Sequence, residues 1–228
     1  STPRKNGPAI RLARAVVRLE EKPMRPQYTK TVKGLLDVMG RNCSFGLRLV
    51  FANMWLFKGL VKKLFTILGA DTRALLTSTF AFTVLNGGNQ TNVIPNHVEA
   101  NINVRIAPFD TVDDVIKHIK KVIEDDSIEI TTSDINKMYP ECDFQQEAYD
   151  IIKDTTIETY PETVVAPFVM LGGTDARHYN EICDCVIRFT PVKLTNEDRK
   201  GVHGLNEKIK VESLEKALEF YQRLLTKI

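Results

Sequence analysis

The run Gly201-Val202-His203-Gly204-Leu205-Asn206-Glu207 sets one histidine between turn-forming residues and close to a carboxylate. Such a placement can present an imidazole nitrogen at the end of an element, as zinc ligands are often displayed. It also suits an ordinary surface turn, and the local sequence leaves both readings open. A second run is Gly172-Gly173-Thr174-Asp175-Ala176-Arg177-His178. Gly173 allows a ligand to approach the backbone closely, Thr174 offers a hydroxyl, and Arg177 offers a planar fork for a carboxylate. A tight turn closed by an Asp175–Arg177 contact is the alternative. In Thr91-Asn92-Val93-Ile94-Pro95 the Asn92 amide can donate to a carbonyl oxygen or close an Asx-turn. Arg105, ahead of Ile106-Ala107-Pro108, can grip a carboxylate or stand as an exposed strand arginine.

Taken in order, these motifs resemble the second half of an M20-type zinc metallopeptidase, closest to carboxypeptidase S and the related N-acyl amino acid hydrolases. The resemblance runs from Ser1-Thr2-Pro3 to the C-terminal helix. It implies a two-zinc hydrolase that cleaves a C-terminal peptide bond or an N-acyl amino acid amide. His203 would be a zinc ligand, and Thr174 and Arg177 would lie beside the substrate. Arg105 would hold the substrate carboxylate, and Asn92 would reach the substrate carbonyl from the lid of the neighbouring subunit of a homodimer. The family's His-x-Asp pair, bridging aspartate and Glu-Glu pair do not occur ahead of these motifs here. The chain is therefore expected to be part of a longer enzyme and to be inactive alone. A catalytic zinc site takes several ligands, and this sequence offers one imidazole at a matching position. Two rivals stay open: a dimerising α/β module without catalysis, and a metal-free relative that binds amino acid derivatives.

The elements that must position these residues can be read from periodicity. Val98, Ala100, Ile102, Val104 and Ile106 alternate with Glu99, Asn101, Asn103 and Arg105, which predicts a half-buried strand. Thr79 to Leu85 predicts a partner strand with Phe80, Phe82 and Val84 on one face. Ile128 to Thr132 predicts a further strand. Asn6 is expected to cap a first helix whose wet face carries Arg11, Arg14 and Arg18. Asp110 is expected to cap a later helix striped by Val112, Val115, Ile116, Ile119 and Ile123. The expected fold class is α/β: a two-layer α/β sandwich lid with an antiparallel sheet over 1–134, carrying a helical insertion at 29–76. Residues 135–228 form the C-terminal part of an α/β catalytic domain, with a buried strand at Cys183 to Phe189. Its last helix is striped by Leu214, Ala217, Leu218, Tyr221, Leu224 and Leu225.

Composition excludes some classes. Of 228 residues, 43% are hydrophobic and 26% charged, with a formal net charge of +2. That balance gives no footing to a nucleic-acid partner. The apolar run over residues 47–68 is broken by Arg48, Lys58, Lys62 and Lys63, so it is not a membrane span. It reads as core packing of the insertion, with a greasy groove or a membrane-surface face as alternatives. Cys43, Cys142, Cys183 and Cys185 lack zinc-site spacing and are expected to be reduced, which favours a cytoplasmic protein.

Overall fold

A computed structural model describes residues 5–135 and 141–228. Ser1-Thr2-Pro3 and most of the expected boundary near 133–140 lie outside the described residues. The chain forms two compact units: Ser1–Val32 with Met54–Pro140, and Lys33–Asn53 with Glu141–Ile228.

In the first unit the backbone runs α1 (Pro8–Glu21), α4 (Met54–Ile67), α5 (Ala70–Ala74), β1 (Thr79–Gly87), β2 (Val98–Arg105) and α6 (Val112–Ile123). The second unit holds α3 (Phe45–Ala52), α7 (Glu147–Thr159), α8 (Ala176–Tyr179), α9 (Asn196–Gly201) and α10 (Val211–Leu225). Helix α2 (Lys30–Asn42) contains the cut between the units. The helical insertion expected at 29–76 comprises four helices, and its apolar run over 47–68 falls on two of them, α3 and α4.

Helices α1 and α6 pack on one face of the antiparallel β1–β2 sheet. Ala15 and Leu19 of α1 meet Val115, Ile119, Val122 and Ile123 of α6, and Met24 joins them. Phe80, Phe82, Ile102, Val104 and Ile106 pack against this cluster from the sheet. The strict alternation of β2 therefore does what its pattern implies: one face feeds the core and Arg105 lies on the other.

The partner strand is less regular. Phe82 pairs with Ile102 but Val84 pairs with Asn101, so Thr83 is an extra residue in the ladder. This bulge moves Val84 off the core face that Phe80 and Phe82 share, and Val84 is exposed. The strand expected at Ile128 to Thr132 does not form. Ile128 and Ile130 lean on the core, but the backbone joins no ladder.

Both expected helix caps shift by one residue. Pro8 starts α1 with Gly7 as its cap. Asn6 adopts φ 60° and accepts a hydrogen bond from Arg14 at 2.6 Å. Thr111, not Asp110, caps α6, in a reciprocal capping box with Asp114. Asp110 is instead buried and accepts a hydrogen bond from the Ser78 hydroxyl, which accepts in turn from the Ala107 amide at 2.8 Å. The arginines of α1 are not merely a wet face. Arg11 forms a two-pronged pair with Asp125, and Arg18 donates to the Ile123 carbonyl. They bolt α1 to the end of α6 through polar bonds outside the core.

The second unit is stitched differently. Phe220 of α10 is 1% exposed and meets Phe189 at 5.1 Å between ring centroids. Thr155, Thr156 and Thr159 form a buried row on α7, each hydroxyl bonded to the carbonyl four residues back. In α2, a Cβ added at Gly34 would lie 2.7 Å from Phe144 and 2.8 Å from Pro167, so glycine is what lets that helix approach so closely. Two expectations fail here. Cys183 to Phe189 is irregular rather than a buried strand, because the unit's described residues contain no strand for it to join. The expected stripe of α10 is only partly inward, and Leu214, Leu218, Tyr221 and Leu225 are exposed.

The all-reduced reading of the cysteines is also corrected. Cys142 and Cys185 form a disulfide across a separation of 43 residues, while Cys43 and Cys183 are free. The argument for a cytoplasmic protein from reduced cysteines loses its premise. Among the described residues, no helix is long and apolar enough to cross a membrane.

Candidate functional site

Arg105 occupies the last rung of the sheet, opposite Thr79. Its side chain is half-buried, and desolvation lowers its pKa from the ordinary arginine value. Among the described residues, no carboxylate or other hydrogen-bonding group meets its guanidinium. A half-buried cation with no partner is costly, because part of its hydration is lost and nothing replaces it. An arriving carboxylate would restore what is missing.

Asn92 lies at the other end of the hairpin, in the exposed loop joining β1 to β2. Gly88 lets that loop turn with φ +79°, and Pro95 packs 3.6 Å from where a Cβ would stand. The loop forms a shallow, open hollow lined by Gly87, Gly88, Asn89, Gln90, Thr91, Val93 and Pro95. The ladder from Gly87–Val98 to Thr79–Arg105 separates this loop from Arg105. At roughly 3.3 Å per residue, that is on the order of 20 Å. A small substrate cannot span the two ends of one hairpin.

The other sequence candidates lie in the second unit. Thr174 is half-buried, and its hydroxyl oxygen accepts a hydrogen bond from Arg188 Nε at 3.0 Å. Nothing crowds Gly172 or Gly173, so the backbone there is open to an approaching group. Arg177 is exposed on the short helix α8 and its Nε meets His178 Nε2 at 3.2 Å. The Asp175–Arg177 contact weighed as an alternative is absent, so that turn is not closed by an ion pair. Sequence reasoning missed Arg188. Its only signal was a charge inside the apolar run 183–189.

His203 follows α9, whose start is set by a capping box of Thr195 and Asp198. It adopts φ 63°, its backbone amide donates to Glu207 Oε2 at 3.1 Å, and the residue is exposed. The neighbouring carboxylate thus holds the turn rather than the ring. Among the described residues, no group of three or more His, Cys, Asp or Glu side chains could hold a metal. These residues do not build a metal site by themselves; His203 is one candidate ligand.

The structure thus presents a helix-covered antiparallel hairpin with polar groups at both ends, followed by a second unit carrying an open glycine turn and an exposed histidine turn. A sequence model of the peptidase dimerisation domain of M20 enzymes matches residues 3–131. The chain belongs to the M20 family of hydrolases, and it carries that family's dimerisation domain. Among its relatives, "Probable carboxypeptidase S-like 2" of Dictyostelium discoideum is 34% identical over 226 residues, covering 99% of this chain and 43% of the relative. The "N-fatty-acyl-amino acid synthase/hydrolase PM20D1" of Bos taurus is 35% identical over 213 residues, covering 92% of this chain and 42% of the relative. The "Succinyl-diaminopimelate desuccinylase" of Magnetococcus marinus is 26% identical over 147 residues, covering 64% of this chain and 36% of the relative. The chain spans less than half the length of these relatives. No solved structure matches it.

Proposed function

We propose that this chain supplies substrate-binding groups of a metal-dependent hydrolase that cleaves a C-terminal peptide bond or the amide of an N-acyl amino acid. The observation that carries the proposal is Arg105, half-buried on the polar face of β2 and without a hydrogen-bonding partner among the described residues. Both substrate classes end in a free carboxylate, which the planar guanidinium can bind through two parallel hydrogen bonds. In the complete enzyme Asn92 of the neighbouring subunit would donate to the substrate carbonyl, Thr174 and Arg177 would lie beside the substrate, and Gly173 would leave room for it. Arg188 keeps the Thr174 hydroxyl oriented.

Zinc, two ions per subunit, is the proposed cofactor of the complete enzyme, where it would activate water for attack on the amide. This chain would contribute His203 to that site. The proposed assembly is a homodimer built through the dimerisation domain, in which Asn92 of one subunit serves the site of the other. The length of the hairpin supports this arrangement, since Arg105 and Asn92 lie at its opposite ends. The Cys142–Cys185 disulfide supports an oxidising compartment.

The experiment is a pair of substrates given to the complete enzyme: an N-acyl amino acid and its C-terminal amide. Arg105→Lys keeps the charge but loses the fork. KM for the carboxylate substrate is expected to rise roughly ten- to a hundredfold, the worth of one charge-assisted pair, with little change for the amide. Equal effects on both substrates, or none on either, would remove Arg105 from the site.

A further inference from the structure

Arg188 stands in an irregular run. Cys183 to Phe189 joins no ladder, and among the described residues its backbone makes no backbone hydrogen bond. Such a run is placed by its side chains and by the ties on either side of it. Two ties lie after Arg188. The Phe189 ring packs against the buried Phe220 at 5.1 Å, and the Tyr160 hydroxyl donates to the carbonyl of buried Pro191 at 2.9 Å. One tie lies ahead of it: Cys185, bonded to Cys142.

The far end of that bond is itself anchored. Cys142 precedes the turn that opens α7, where the Asp143 carboxylate accepts from the Gln145 amide at 3.1 Å and the Asp143 carbonyl from the Gln146 amide at 3.3 Å. Phe144 of the same turn packs closely on Gly34 and against the Tyr149 ring.

Between these ties the exposed Arg188 donates from Nε to Thr174 Oγ1, a residue 14 positions away. A guanidinium cannot accept a hydrogen bond, so the hydroxyl oxygen accepts and its own proton points elsewhere. Among the described residues no group accepts that proton. The half-buried Thr174 hydroxyl thus keeps a donor for an arriving oxygen, beside the open turn at Gly172 and Gly173.

We propose that the Cys142–Cys185 disulfide is a redox-sensitive strut. Intact, it holds Arg188 on Thr174 and keeps the hydroxyl proton turned to the substrate. Reduced, it frees the run ahead of Arg188 and weakens substrate binding. The inference rests on the reading that puts Thr174 beside the substrate. A dithiol supplies the electrons. Its first thiolate attacks one cysteine sulfur, forms a mixed disulfide and releases the other cysteine as a thiolate. Its second thiolate attacks its own first sulfur and releases the second cysteine. Cys142 and Cys185 take up two electrons and two protons, and the dithiol leaves as a cyclic disulfide.

Cys183 is a free thiol whose Sγ lies 3.2 Å from the Cys185 carbonyl oxygen. It could replace Cys185 as the partner of Cys142, so Cys142→Ser is the variant that removes the strut without a substitute. KM for an N-acyl amino acid is measured on the complete enzyme in four forms: unchanged, Cys142→Ser, Thr174→Val and the two together. Cys142→Ser is expected to raise KM roughly three- to tenfold, part or all of the worth of one charge-assisted hydrogen bond. Thr174→Val should raise it at least as much, and the double variant no further than Thr174→Val alone. Losing the crosslink should lower the denaturation midpoint in either background, so the stability effects add where the KM effects do not. Arg188→Gln should give the KM rise with the disulfide intact and the midpoint unmoved. An unchanged KM in Cys142→Ser, with Thr174→Val impaired, would overturn this inference alone. So would a rise at Cys142→Ser that persists in full on Thr174→Val. An unchanged KM in Thr174→Val would overturn the placement of Thr174 beside the substrate, and this inference with it. If Cys142→Ser does not fold, the unchanged and Thr174→Val enzymes reduced with dithiothreitol, with alkylation of Cys142 and Cys185 mapped, take its place and are judged by the same outcomes.

Discussion

Arg105 and Asp110 are five residues apart, and the fold treats their charges in opposite ways. Asp110 is buried and satisfied, with Ser78 bridging it to the Ala107 amide. Arg105 is half-buried and has no partner on its guanidinium among the described residues. Charges kept without a structural partner are where function is usually bought at the expense of stability. Asp110→Ala should therefore destabilise the chain by about 1–3 kcal/mol, since it strands the Ser78 hydroxyl. Arg105→Gln should leave chemical-denaturation stability unchanged or slightly raise it, because no hydrogen bond or ion pair to a described residue is lost and a half-buried charge is removed. A loss at Arg105 as large as that at Asp110 would mean that Arg105 is structural. The sequence shows the side of β2 on which Arg105 lies, because alternation is strict. It does not show that Asp110 is buried or that Thr111 is the cap. Aspartate and threonine cap helices about equally well, and only the position of Ser78, which comes from β1, separates them.

Among the elements, α1 and α6 matter most, because they cover the sheet whose other face carries Arg105. The hydrogen bond from Arg11, and then that from Ser127, hold the Asp125 carboxyl well below its ordinary value of 3.8. A carboxyl depressed in the folded state adds stability above its unfolded pKa and loses it as pH falls through the folded one. The contribution of this pair should therefore be complete near neutrality and fade below about pH 4. Asp125→Asn should destabilise the chain at pH 7 and flatten the decline of its denaturation midpoint in acid. An unchanged acid profile would deny the pair a role. Helices of this unit were legible because apolar residues repeat on one face. The bulge at Thr83 was not legible, since an inserted residue leaves the apolar-polar pattern of β1 plausible in either register. The run from Cys183 to Phe189 misled for the converse reason. An apolar segment reads as a strand, but a strand exists only where another can pair with it.

At the scale of the whole molecule, two matters lie beyond local pattern: the pairing of Cys142 with Cys185 and the proposed sharing of a site between subunits. The disulfide closes a loop between residues 43 positions apart, which no spacing rule marks. In protein from its native source, peptide mapping of this stretch should find Cys43 and Cys183 alkylated under denaturing, non-reducing conditions, and Cys142 and Cys185 alkylated as well only after reduction. Alkylation of Cys142 and Cys185 without reductant would remove the disulfide and the oxidising compartment with it. The proposed subunit sharing is supported by the length of the hairpin, which keeps Asn92 away from Arg105 of the same chain. The measurement that tests this most directly is complementation in the complete enzyme. Asn92→Ala and His203→Ala variants are each assayed alone and then co-expressed to form mixed dimers. Each variant alone should be strongly impaired. In the mixed dimer one site has an intact His203 and receives an intact Asn92 from its partner, so part of the lost hydrolysis should return. Mixed dimers no more active than either variant alone would contradict the shared-site account.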